Sequence, residues 1–247
     1  MIHHITNNVV TNFTANITLC MGAAPVMAPA IDESAEMVGF AGALLLNIGT
    51  LDPPQIESML AAGRRANEVS VPVLLDPVGA GATALRTESA RRIMREIDVA
   101  VVRGNTGEVL TLAGEEGGVR GVDSTASGAD RAETFRKLAV DLGAVVGVTG
   151  EEDLVTDGTR TVRLTNGHPL MGTVTGTGCG ASTAVACFLA ASEDPLLAAA
   201  AGLACYGIAG EVAAEVASGP GTFVPAFLDA LAALDQSMVL SRCRLSE

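Results

Sequence analysis

The chain has 247 residues, 49% of them hydrophobic, and carries 28 Asp plus Glu against 15 Lys plus Arg, for a formal net charge of −13. That length suits one large domain or two small ones and is enough to bury a core without metal or disulfide staples. The acidity argues against nucleic acid and anionic membrane as partners, because both need a basic face. Lys137 is the only lysine, so a bound anion must be held by Arg, by backbone N–H groups or by a metal.

The N-terminal Met1-Ile-His-His-Ile-Thr-Asn7 lacks a basic region followed by an apolar run and does not read as a signal peptide. Ala43 to Ile48, closed by Gly49, reads as a buried strand. Asp52-Pro53-Pro54 then offers a helix cap and early-helix prolines, with Ile56, Met59, Leu60 and Gly63 along the helix. Val71 to Leu75 is the next strand, closed by Asp76-Pro77. A helix is expected from Thr87-Glu88, its apolar face carrying Ala90, Ile93, Met94 and Ile97. Val99 to Val102 is a third strand, closed by Arg103-Gly-Asn105, and Glu108 begins the next helix. Gly117 to Gly128 reads as a loop, Ser127 to Leu142 as a helix and Ala144 to Val148 as a fourth strand. Asp153 to Leu164 reads as a hairpin turning at Asp157-Gly158. From Cys179 the pattern is helical to about Leu240, broken near Asp194-Pro195 and Gly219-Pro220-Gly221. The uncharged stretches Met171–Ser192 and Pro195–Gly210 read as buried helices. The first opens Gly/Thr-rich, and the second is short of the ~20 residues a membrane span needs.

Strands separated by helices predict βαβ units and a mainly parallel sheet covered on both faces, an α/β fold. No linker divides the chain, so residues 1–247 read as one domain. Ligands of such sheets bind beyond the carboxyl ends of the strands. Four clusters fall at predicted strand ends: Asn47-Ile-Gly49, Asp76-Pro-Val-Gly-Ala-Gly81, Arg103-Gly-Asn-Thr-Gly-Glu108 and Thr149-Gly-Glu151. They are expected to converge on one crevice.

Val174-Thr-Gly-Thr-Gly-Cys-Gly-Ala181 leads into an apolar helix. Small residues allow close approach of an anion, and the first N–H groups of a helix point outward at its positive end. The alternative is a tight turn before a core helix. Gly176 and Gly79 each begin a loose dinucleotide-type pattern, but neither lies in a first βαβ unit, and no Walker A sequence occurs. Asp76 and Glu108 suit a magnesium site shared with a nucleotide. Taken singly, each also suits a helix-terminus role. Cys179 lies inside the cradle, where a helix N-terminus lowers a thiol pKa and makes a base or nucleophile; its other reading is a small buried residue. Cys20, Cys187 and Cys205 read as core. Five widely spaced cysteines without C-x-x-C fit a reducing cytoplasm. His3 and His4 lack a third ligand and read as structural or wall residues. The Ala-rich stretch Leu196–Ala217 reads as core packing.

Gly176-Thr-Gly-Cys-Gly180 resembles the glycine-rich anion hole of the ribokinase-like superfamily, whose fourth position is usually Asp. Cys there is characteristic of the hydroxyethylthiazole kinases of thiamine salvage. His3-His-Ile-Thr-Asn7, Asn12-Phe-Thr-Ala-Asn16, Gly22-Ala-Ala-Pro-Val-Met-Ala28, Asn47-Ile-Gly-Thr50, Leu75-Asp-Pro-Val-Gly79, Val148-Thr-Gly-Glu151 with Asp153, Asn166-Gly-His168 and Gly219-Pro-Gly221 agree, so the resemblance spans nearly the whole chain. It implies a three-layer sandwich around a mainly parallel sheet. It also implies phosphorylation of 4-methyl-5-(2-hydroxyethyl)thiazole by MgATP in the cytoplasm. By position, Cys179 would be the catalytic residue at the reacting hydroxyl, and Met27, Gly49 and Gly176 would bind the thiazole. Asn7, Arg103, Thr149, Thr177 and Gly178 would meet ATP, and Asp76 and Glu108 would serve Mg²⁺. A homotrimer with the thiazole site between subunits is implied too. Relatives carry a further helix ahead of the His-Ile-Thr-Asn segment. A second reading on the same fold is an ADP- or ATP-dependent dehydratase of hydrated nicotinamide nucleotides. That class keeps Asp in the glycine-rich motif, so Cys179 and the Met27 segment count against it. A third reading is a nucleotide sensor that only binds, against which the carboxylates and the cradle count.

Overall fold

The computed structural model describes residues 1–114 and 128–246, with backbone alone for 128–130. The expected loop at 117–128 and the start of its helix at Ser127 therefore fall almost wholly outside the described residues. In chain order the elements are β1 (Ile2–Ile5), α1 (Thr11–Cys20), β2 (Pro25–Met27), α2 (Ile31–Val38), β3 (Ala43–Asn47), α3 (Pro53–Glu68), β4 (Val73–Asp76) and α4 (Ala84–Glu96). There follow β5 (Val101–Asn105), α5 (Thr106–Leu112), α6 (Gly128–Leu142), β6 (Val145–Thr149), β7 (Asp153–Thr156) and β8 (Thr161–Leu164). A 3₁₀ turn (Pro169–Thr173) precedes α7 (Thr177–Leu189), α8 (Pro195–Val216), α9 (Pro220–Ala233), α10 (Gln236–Arg242) and β9 (Leu245–Ser246).

The described strands form one nine-stranded sheet in the order β2-β1-β3-β4-β5-β6-β7-β8-β9. Every pair from β2 to β6 is parallel, and β7 to β9 add antiparallel strands at one edge. Alternation along each strand splits the core in two. Ala43, Leu45 and Leu74 face a layer built from α1, α7, α8 and α9. Leu44, Leu46, Val73 and Leu75 face the layer of α2 to α6. Period-two side-chain geometry thus makes a three-layer sandwich from short apolar runs.

Several local signals act as expected. The Asp52 side chain caps α3 by accepting from Gln55 N at 2.8 Å, and Asp194 caps α8 by accepting from Leu196 N at 3.0 Å. The helix α4 begins a turn earlier than expected. Thr83 is its cap, accepting from Arg86 N at 3.3 Å, while Thr87 bonds back to the Thr83 carbonyl inside the helix. The apolar helix α8 runs 22 residues from Pro195 to Val216, matching the Ala-rich stretch 196–217 read from the sequence. It is long enough to cross a membrane, but it lies mostly buried among α7, α9 and the sheet, as a core helix does. The helical C-terminal stretch has a further break at Leu234-Asp235, where the Asp235 side chain caps α10.

Candidate active site

The parallel strands β3, β4, β5 and β6 lie side by side, so their carboxyl ends bring Asn47, Asp76, Arg103 and Thr149 together. Asp76, 1% exposed, accepts from Asn47 Nδ2 and from Ser182 Oγ, each at 2.8 Å and both on Oδ2. Ser182 lies in α7, and this bond ties the glycine-rich helix to the sheet. Arg103, 7% exposed, makes a second tie. Its Nη1 donates to the Gly178 carbonyl at 2.8 Å and its Nη2 to Thr149 Oγ1. Glu108 completes a capping box with Asn105, and its other oxygen accepts from Gly79 N at 2.8 Å. Its helix-terminus reading is therefore realised, while the carboxylate remains close enough to Asp76 to act on it electrostatically.

The glycine-rich segment opens α7 at Gly176, whose φ of +92° is left-handed. A side chain there would also press on Val10 and Phe13. Gly180 N is already bonded to the Gly176 carbonyl at 2.8 Å. Of the N–H groups of Gly176 to Gly180 expected to form the cradle, Gly180 is therefore taken up by the helix itself. The Thr177 hydroxyl is not part of the cradle, because it donates to the Met171 carbonyl at 2.7 Å.

Cys179 meets the sheet through Asn7. The Asn7 amide donates to Asn47 Oδ1 at 2.8 Å and reaches Cys179 Sγ at 3.5 Å. Gly49 donates its backbone N–H to the same Asn47 oxygen and lies against Asn7. Met27 ends β2, two strands away, paired in register with His4. The lowered thiol pKa expected at a helix N-terminus is not what the site produces. Burial, and then the Asp76 carboxylate, push the Cys179 thiol up to about 11, against hydrogen bonds from Asn47 and Asn7 and the charge of Arg103. Burial likewise raises the Asp76 carboxyl to about 6, with Arg103 opposing and Glu108 adding to the rise.

Beside these groups opens a cleft of ≈ 980 Å³ whose lining includes Arg103, Thr149, Asp153, Thr177, Gly178 and Tyr206. A smaller cavity of ≈ 500 Å³ lies at the opposite, amino-terminal ends of β4, β5 and β6 and holds none of them.

A family model described as the hydroxyethylthiazole kinase family matches residues 1–237. The chain belongs to that family. It is 58% identical to the hydroxyethylthiazole kinase of Methanocella arvoryzae over 93% of this chain and 86% of that protein. The solved structure of a hydroxyethylthiazole kinase protein from Pyrococcus horikoshii superposes with a TM-score of 0.91 at 41% identity, covering 99% of this chain and 92% of that one. A ribokinase-like superfamily protein from Enterococcus faecalis shares the fold at a TM-score of 0.62 and 12% identity, over 93% and 85% of the two chains. The chain is thus an enzyme of an ATP-dependent kinase family of the thiamine pathway, with a ribokinase-like fold.

Among the described residues no group of three His, Cys, Asp or Glu could cage an ion. Magnesium does not need one, since it keeps several waters and takes one or two carboxylates plus substrate phosphates. Asp76 and Glu108 repel each other, and Asp76 Oδ1 is the atom that neither Asn47 nor Ser182 occupies. That pair fits a hydrated divalent cation arriving with a nucleotide.

Two cleft residues have no role in the sequence reading, although Asp153 stands in one of its motifs. Asp153 accepts from Gly150 N at 3.0 Å, and burial raises its carboxyl to about 6. Tyr206 comes from α8, which reads as plain core; its hydroxyl is buried without a hydrogen-bond partner. It is the only tyrosine in the chain, and a lone phenol in an Ala-rich helix is the signal that could have marked it. His3 and His4 are structural as expected, buried in β1 and bonded to the Ala28 carbonyl and the Thr18 hydroxyl.

Proposed function

We propose that residues 1–247 act as one ribokinase-like domain that transfers the γ-phosphoryl group of ATP to the hydroxyl of 4-methyl-5-(2-hydroxyethyl)thiazole. The observation that carries this is the meeting of a helix N-terminus, Arg103 and the Asp76–Glu108 pair around the Cys179 thiol. Phosphoryl transfer is mainly positioning and charge stabilisation, which is what this arrangement supplies. ATP occupies the cleft, with its phosphates toward the N–H groups of Thr177 and Gly178, beside Arg103, Thr149 and Asn7. Asp76 and Glu108 would hold Mg²⁺ partly through water, and the ion would neutralise charge on the phosphates. The thiazole lies between Met27, Gly49 and Gly176, its hydroxyl over Cys179. A thiol held at about 11 keeps its own proton at neutral pH and cannot take a second, so Cys179 positions the alcohol, and the alcohol proton passes to an oxygen of the transferred phosphoryl group as the O–P bond forms. We further assign a cytoplasmic homotrimer with the thiazole site between subunits. The exposed Val9, Leu19 and Ile31, close in sequence to Asn7 and Met27, support a subunit contact there. Incubation with MgATP and the thiazole alcohol, read by ³¹P NMR, is expected to give the thiazole phosphate and ADP. ADP without the ester, or neither product, overturns the reading, and light scattering tests the trimer.

A further inference from the structure

One wall of the cleft is the loop Thr165–His168, which joins β8 to the 3₁₀ turn. This loop is held from two sides by groups that do not themselves line the cleft. From below, Glu211 of α8 accepts Gly167 N at 2.8 Å and Asn166 Nδ2 at 3.1 Å, both on Oε1. The helix is notched to let the loop sit there. A Cβ on Gly207 would lie 2.6 Å from the Asn166 carbonyl oxygen, and one on Gly210 would collide with Met171. From the far side come the end of α10 and the segment that follows it. Arg244 N donates to Asn166 Oδ1 at 2.8 Å, Asn166 Nδ2 donates to the Arg242 carbonyl at 2.9 Å, and Arg244 Nη2 donates to the Thr165 carbonyl at 2.7 Å. The two supports meet, because Arg244 Nη2 also donates to Glu211 Oε1 at 2.5 Å. Burial works against the Glu211 carboxylate, but the bonds from Gly167, Arg244 and Asn166 outweigh it and keep it ionised.

We propose that Glu211, braced by Arg244, is a positioning residue for the nucleotide: it sets the backbone of the Thr165–His168 wall against which the nucleoside part of ATP rests. This rests on the cleft being the nucleotide site. Glu211 touches no part of the thiazole site, so its effect is confined to one substrate. Charge-assisted bonds of this kind are the strong ones, and losing several at once releases the loop.

The test is steady-state kinetics with the two substrates varied separately, together with amide hydrogen exchange. Glu211→Ala is expected to raise KM for ATP about tenfold, a change of about 1.4 kcal/mol, with KM for the thiazole alcohol held within about twofold. Arg244→Ala moves KM for ATP the same way by less. Glu211→Gln, which can still accept from Gly167, restores part of the loss. The far-UV spectrum and Tm of each variant check the fold, and if Glu211→Ala does not fold then Arg244→Ala carries the comparison. Equal shifts in both KM values, or no shift in either, overturn the assignment. The cleft itself is tested in the unsubstituted protein, where ADP is expected to slow exchange at residues 165–168. Absence of that protection sinks the cleft reading. Protection with an unmoved KM for ATP sinks only the role of Glu211.

Discussion

Asn47 and Asp76 occupy paired positions on adjacent parallel strands, and the Asn47 amide donates to Asp76 Oδ2 at 2.8 Å. The other end of the same amide accepts from Asn7, which reaches Cys179. The carboxylate proposed to serve the metal and the thiol proposed to face the alcohol are therefore aligned by one buried side chain. Asn47→Ala leaves Asp76 with one donor and the Asn7 amide with only the Cys179 sulfur to donate to. A loss of stability of about 1–3 kcal/mol in urea unfolding is expected, together with a lower kcat. An unchanged kcat at full Mg²⁺ would show that the alignment is idle.

Asp76→Asn and Glu108→Gln are expected to raise the Mg²⁺ concentration needed for half-maximal rate. Glutamine at the third helical position keeps the capping box but has a single acceptor oxygen, so Glu108→Gln removes the charge together with the bond from Gly79. A magnesium titration at saturating ATP reads the effect. Identical titration curves for both variants and the parent place the metal elsewhere.

The Cys179 thiol is expected to react slowly with iodoacetamide at neutral pH, with a rate that climbs only as pH approaches about 11. Peptide mass spectrometry separates it from the other four cysteines. A midpoint below about 8.5, the value of a free thiol, contradicts the buried, carboxylate-flanked site. Because a protonated thiol is a weak base, Cys179→Ala is expected to keep measurable kinase activity. Complete loss with thiazole binding intact makes the thiol essential.

Two buried groups pull stability in opposite directions with pH. Burial, with a smaller contribution from neighbouring His3, lowers His4 to about 4. Between there and its unfolded value of 6.5 the unfolded chain binds more protons, so stability falls as pH drops through that window. Asp76 is raised from 3.8 to about 6, so the folded chain binds more protons and stability falls as pH rises between those values. Each contributes about 3 kcal/mol over its range. In urea unfolding, His4→Gln is expected to flatten the loss toward pH 4, and Asp76→Asn to gain stability above pH 6. A His4→Gln profile parallel to the parent rules out the histidine as the source of the acid limb.

The elements legible in the sequence are those whose side chains follow one rule. The strands β3 to β6 open on apolar residues and close on polar ones, and α3 and α8 carry Asp caps followed by Pro. Their order was enough to put Asp76, Arg103 and Thr149 at neighbouring strand ends. The first elements obey no such rule. Two of the four residues of β1 are histidines, made acceptable by bonds to Ala28 and Thr18. Helix α1 is rich in Thr and Asn, and Thr14 and Thr18 satisfy their hydroxyls on the preceding turn. The thiol was misjudged for a different reason. A helix N-terminus is visible in sequence, but the burial that chiefly raises the thiol comes from packing, and the carboxylate that adds to it from position 76, about a hundred residues away in the chain.

The pairing of β9 with β8 joins residues 163–164 to 245–246. In vectorial synthesis the strands β1 to β8 and the helices α1 to α9 all emerge before Arg244 does. A nascent chain can therefore assemble Cys179, Arg103 and Asp76 while the loop at 165–168 still lacks its outer brace. Closure of that wall therefore waits on residues made after every element that builds the site.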